Sequence, residues 1–77
     1  MSKYCVVNGQ IAIFKGEVDE MLTIEPIQGI DYLFDEKDLV EVTTGGTTYS
    51  GVVTTKGNEI AIAVLGSKKA DEIIGRV

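Results

Sequence analysis

Tyr4-Cys5-Val6-Val7-Asn8-Gly9-Gln10-Ile11-Ala12-Ile13-Phe14 is the stretch whose reading decides the fold. Two apolar runs flank an Asn-Gly pair. Both central residues of a type I′ turn need positive φ, which Asn tolerates and Gly adopts freely, so this pair joins two strands in a two-residue hairpin. On each side the side chains run with period two, the mark of a strand with one buried face. Lys15-Gly16 then ends the second strand.

The same grammar extends along the chain. Val18 to Glu25 reads as one strand, with Val18, Leu22 and Ile24 facing inward. Pro26 closes it, because proline donates nothing to a ladder. Gln28-Gly29 marks a turn, after which Ile30, Tyr32 and Phe34 alternate with Asp31, Leu33 and Asp35 as a further strand. Asp35-Glu36-Lys37-Asp38 suits a tight turn or one turn of 3₁₀ helix, and Leu39 to Val42 resumes the extended chain. Gly45-Gly46 connects it to Thr48–Thr55, and Lys56-Gly57-Asn58-Glu59 turns the chain into the alternating run Ile60 to Leu65. Only the last segment changes period. Ser67 is an N-cap candidate, and Ala70, Ile73, Ile74 and Val77 follow helical spacing, predicting a helix over about 68–75. Asn8-Gly9-Gln10-Ile11-Ala12-Ile13 and Gly57-Asn58-Glu59-Ile60-Ala61-Ile62 echo each other, which a hairpin solution used twice explains without duplication.

These segments predict a mainly β chain of one domain over residues 1–77, with strands over about 3–65. A flat sheet of this size leaves a face uncovered, whereas closure into a barrel buries one face of every strand and removes most edges. From Ile11 to Val42 a strand ends at Lys15-Gly16, a long bent hairpin runs through Glu25, and an aromatic strand leads into Asp38-Leu39-Val40-Glu41-Val42. This order resembles the opening of SH3-like barrels. The resemblance implies a small SH3-like barrel of about six short antiparallel strands with a short C-terminal helix. It is a likeness of fold, and such folds host unrelated functions.

The 77 residues include no histidine, which removes the usual general base, the Ser-His and Cys-His pairs and the commonest metal ligand together. An enzyme is therefore not expected. The lone Cys5 cannot form an internal bridge and sits in a strand as a small hydrophobe. Asp31, Asp35, Glu36 and Asp38 lack the calcium-loop spacing and read as a solvated acidic turn, so no metal is expected. Gly45-Gly46 among threonines lacks the lysine and the following helix of a phosphate loop, so no cofactor is expected. The run Ile60 to Leu65 is far too short to span a membrane. With no apolar leader and no disulfide framework, the expected location is cytoplasmic.

The charge is lopsided. The net charge of −5 divides into nine acids against three lysines over residues 1–42 and three acids against four bases over 43–77. No basic stripe is present, so direct nucleic-acid binding is not expected. The expected function is a non-enzymatic interaction module that binds a protein partner, such as a basic or proline-rich segment, through an acidic and aromatic surface in residues 17–49. Its candidate residues are Tyr32, Phe34, Asp35, Glu36, Asp38 and Tyr49. The competing reading makes Phe14 and Phe34 core, and the tyrosines half-buried with hydroxyls to water. Self-association through Ala61, Ala63 and Leu65 is a second expectation, unless the helix covers that face. A homo-oligomeric accessory protein, of the phage or mobile-element kind, that binds or sequesters a small ligand is a third, and an acidic nucleic-acid mimic a fourth.

Overall fold

Asn8 and Gly9 both hold positive φ, 50° and 81°, and the hairpin they make joins β1 (Lys3–Val7) to β2 (Gln10–Val18) in the computed structural model. The structure describes residues 3–75. β3 (Met21–Glu25), β4 (Leu39–Thr44), β5 (Thr47–Lys56), β6 (Glu59–Val64) and α1 (Lys68–Ile74) follow. Gly45 and Gly46, at φ 59° and 82°, turn β4 into β5 in the same manner.

All pairings are antiparallel, and the strands close into a barrel in the order β1-β2-β3-β6-β5-β4. Two three-stranded meanders, β1–β2–β3 and β4–β5–β6, meet along β3·β6 and are sealed by β1·β4 through Val6↔Thr43 and Val7↔Val42. The closed barrel, the mainly β content and the short C-terminal helix agree with the expectation from alternation. Each meander's middle strand is its longest and carries a glycine. In β2 the register shifts between Phe14 and Gly16, and Gly16 sits at φ 132°, a bulge that bends the strand around the barrel. The Thr23 hydroxyl donates to the Gly16 carbonyl at 2.9 Å and fixes that bend.

Inward-facing Val7, Leu22, Ile24, Val42, Val53 and Ile62 make the core, and all are almost fully buried. A branched side chain of this size contributes about 1.5–3 kcal/mol when fully buried. On the outside, α1 lays Ala70 and Ile73 over Met21, Ala61 and Ala63. Small residues on β6 let the helix approach the sheet closely. Ser67 caps α1, its hydroxyl accepting the Ala70 N–H at 3.2 Å, and Gly75 ends it at φ 81°.

Four expectations need correction. Val18–Glu25 is not one strand, because Asp19 and Glu20 adopt φ 52° and 64° and form a turn between β2 and β3. Val18 is consequently half-exposed at the end of β2 and does not face inward. Residues 30–34 alternate but pair with no strand; in the closed barrel each strand has a neighbour on both edges, so this segment crosses the barrel as a strap. Ala61 and Ala63 are wholly buried beneath α1 and are not surface residues for self-association, while Leu65 remains 42% exposed. The helix position predicted at Val77 lies outside the described residues. The echo between residues 8–13 and 57–62 joins a β1–β2 hairpin to a β5–β6 hairpin. These do not correspond between the two meanders, and the turns differ too: Asn8 and Gly9 both hold positive φ, whereas between β5 and β6 only Gly57 does, at 62°, so the echo is one of sequence and not of turn conformation.

Candidate functional site

The strap is residues 26–38, from the end of β3 to the start of β4. Pro26 stops β3, and the Ile30 N–H donates to the Ile27 carbonyl at 3.3 Å around Gly29, at φ 95°. The chain then runs extended without a ladder, so its backbone groups find partners on side chains. The Gln10 amide supplies two: its Nε2 donates to the Asp31 carbonyl at 2.8 Å, and its Oε1 accepts the Leu33 N–H at 2.9 Å. One side chain thus imitates a strand's donor and acceptor. The Tyr32 hydroxyl accepts the Ile27 N–H at 2.9 Å and donates to the Ile11 carbonyl at 2.7 Å.

At its far end the strap folds into the turn 35–38. The Asp38 N–H donates to the Asp35 carbonyl at 3.1 Å, while Asp38 Oδ2 accepts the Asp35 N–H at 2.7 Å. Lys37 takes φ 75° at the third position of this turn, a conformation most side chains avoid at some cost. It is held there because the Lys37 N–H donates to the Val53 carbonyl at 2.7 Å, and the Val53 N–H donates to the Asp38 carbonyl at 2.9 Å.

Alternation along the strap sorts the candidate residues. Tyr32 and Phe34 turn inward, half-buried, with ring centroids 5.6 Å apart at an interplanar angle of 60°. Both pack against the barrel core, as does Tyr49 on β5. Tyr32 and Phe34 are therefore brought together, each of the three aromatics helps to cover the core, and the Tyr32 hydroxyl is bonded within the protein. Asp35, Glu36 and Asp38 are exposed, and Asp31 and Glu41 join them on the outside. Over residues 31–41 there are five carboxylates and one lysine, Lys37. Lys15 and Lys56 pair with Glu25 at 3.7 Å and Asp19 at 3.2 Å, exposed ion pairs of small energetic weight.

Besides Leu65, two strongly exposed apolar residues lie outside the sequence candidates. Leu33, between Asp31 and Asp35, is 86% exposed, and Leu39 at the start of β4 is 65% exposed. The signal was present in the alternation, which puts Leu33 on the same side as two aspartates. On the outer face of the β1–β2 hairpin, Tyr4 pairs across from Ile13 and Val6 from Ile11, and these residues are half-buried or exposed.

Two depressions lie near the strap's ends. One, of about 200 Å³, is walled by Leu39 and Leu65 with Asn8, Glu41 and Ser50 around it. The other, of about 230 Å³, lies over Ile24, Pro26 and Ile60 between Glu25 and Glu59. Cys5 is buried, and burial pushes its thiol above the ordinary value of 9.0, so it stays protonated and unreactive at neutral pH. Among the described residues no group of three or more carboxylate or cysteine side chains is gathered as a metal site, and no helix is long and apolar enough to cross a membrane.

Comparison of the chain with protein-family models, with curated proteins and with solved structures finds no match. The fold and surface define a closed six-stranded antiparallel barrel with an acidic strap across it.

Proposed function

We propose that this protein is a non-enzymatic interaction module that captures a cationic, partly apolar segment of a protein partner on the outer side of the strap and β4. The observation that carries this reading is the outward presentation of Leu33 between Asp31 and Asp35. A leucine held in water gains by being covered, and the flanking carboxylates select a covering chain with lysines or arginines. The role of the aromatics changes accordingly. Tyr32 and Phe34 hold the strap, Tyr49 packs on the core, and Asp31, Leu33, Asp35, Glu36, Asp38 and Glu41 meet the partner.

Titration with acetyl-Lys-Leu-Lys-Leu-Lys-amide, followed by calorimetry or fluorescence, tests this. Binding is expected to weaken as salt rises, since exposed charges are screened over about 8 Å at physiological ionic strength. The triple variant Asp31→Asn, Leu33→Ser, Asp35→Asn is expected to lose about tenfold or more in affinity, as a truncated contact cluster does. Equal affinity for the wild type and this variant rejects the reading.

A second reading, self-association, has its own support on the outer face of β1–β2. Tyr4 is 57%, Ile11 44% and Val6 40% exposed there, and the charges beside them on β2 and β3, Lys15 and Glu25, pair with each other at 3.7 Å. Two copies of an acidic protein meet most cheaply where charge is lacking. Sedimentation equilibrium is expected to show dimers at high micromolar concentration that vanish in Tyr4→Ser, Ile11→Ser. A single monomer mass throughout that range excludes it.

A further inference from the structure

We infer that the depression between Leu39 and Leu65 is an anchor pocket that seats one apolar side chain of the captured cationic segment. This rests on the capture reading above and adds to it a specific hole. The register explains why the hole exists. Asn8 N–H donates to the Glu41 carbonyl, Glu41 pairs with Ser50, and the Leu65 N–H donates to the Ser50 carbonyl. Asn8, Glu41, Ser50 and Leu65 thus form one row across the outside of the barrel. At its middle stand a small side chain, Ser50, and the backbone of Gly51, while Leu39 and Leu65 rise on either side. The neighbouring row, Leu39, Val52, Ala63 and Met21, is covered along Ala63 and Met21 by α1. The helix therefore leaves the Leu39–Leu65 gap open.

Size and charge commit the occupant. At about 200 Å³, the space is below the range of roughly 300–1,000 Å³ typical of small-molecule sites and suits a single side chain. The walls are leucines, which favour an aliphatic or aromatic group. Glu41 lines the pocket and Asp38 directly precedes Leu39, and among the described residues none that lines it is positively charged. A second copy of this chain would bring a net charge of −5 to that acidic rim. A cationic segment instead gains from it.

Amide chemical-shift mapping with acetyl-Lys-Leu-Lys-Leu-Lys-amide and with its alanine analogue, acetyl-Lys-Ala-Lys-Ala-Lys-amide, tests the pocket. The leucine peptide is expected to shift the Ser50, Gly51 and Leu65 amides in a saturable way, and the alanine peptide to leave them in place. Leu65→Ser, an exposed substitution checked for folding by thermal melt, is expected to weaken the leucine peptide by about tenfold, the loss typical of one anchoring side chain. Saturable binding with shifts confined to residues 31–35 overturns the pocket while the capture reading stands. Absence of binding by either peptide at millimolar concentration overturns both. Shifts of the same amides on concentrating the protein alone would make a second copy the occupant and also overturn the inference.

Discussion

Gly51→Ala is expected to be the most damaging small substitution in this protein. Gly51 lies inside β5, paired with Val40 on β4 and Val64 on β6, and is itself buried. A methyl group there would overlap Ile62 Cγ2 and approach the Ala63 carbonyl oxygen to 2.6 Å. Neither neighbour can withdraw, since Ile62 is fully buried and the Ala63 backbone belongs to the β3–β6–β5 ladder. Overpacking of this kind costs about 1–3 kcal/mol and more when the backbone has to move. A chain of this length has a total stability of about 4–12 kcal/mol. The urea midpoint is therefore expected to fall by about a quarter or more, with circular dichroism as the readout. Ser50→Ala, next to it but exposed, is expected to stay within about 0.5 kcal/mol of the wild type. Equal midpoints for Gly51→Ala and Ser50→Ala would show that the β5–β6 approach is not tight.

The second large effect is expected at Tyr32, through the strap. Tyr32→Phe keeps the ring against Phe34 and removes the hydroxyl that joins the Ile27 N–H to the Ile11 carbonyl. Each hydrogen bond of this kind contributes about 0.5–1.5 kcal/mol. Tyr32→Ala also removes the ring from the core cover. Its cost should approach the roughly 3–5 kcal/mol seen for buried aromatics, reduced because Tyr32 is only half-buried. Hydrogen exchange separates the strap from the barrel. Leu33 and Lys37, whose amides are bonded to Gln10 and Val53, are expected to lose protection in both variants, more in the alanine one. Ile62, in the β3–β6–β5 ladder, should keep its protection in Tyr32→Phe. Unchanged strap protection in Tyr32→Ala would mean that Gln10 alone suffices to hold the segment.

These two sites differ in how far the sequence foretold them. Asn8-Gly9, Gly45-Gly46 and Ser67 were readable because their jobs are local: positive φ, a two-residue turn, a hydroxyl for a free N–H. Asp19-Glu20 has the same local conformation but was hidden, since Asp tolerates positive φ while Glu does not favour it, and only the closing of β2 onto β3 imposes it on both. Gly51 looked like one more strand glycine. Its importance comes from Ile62 and Ala63, eleven and twelve positions away and one strand over.

The candidate site divides in the same way. The acidity of Asp35, Glu36 and Asp38 and their place in a turn were plain in the sequence, because short polar runs stay solvated wherever they fall. The alternation of Tyr32 and Phe34 with Asp31, Leu33 and Asp35 was also plain, but which set faces out depends on what lies beneath. The barrel end beneath the strap has a core to cover, so the aromatics turn inward, and Leu33 is left outside between two aspartates.

By itself the sequence determined a mainly β chain with tight hairpins, a short capped helix and an acidic first half, because each of these follows from local backbone and charge preferences. Only the tertiary structure decided that the strands close as β1-β2-β3-β6-β5-β4 and that α1 covers Ala61 and Ala63. The same holds for the gap left open between Leu39 and Leu65. Those outcomes depend on register between strands distant in sequence. A shift of one residue exchanges the inner and outer faces of a strand, and no local preference carries that information.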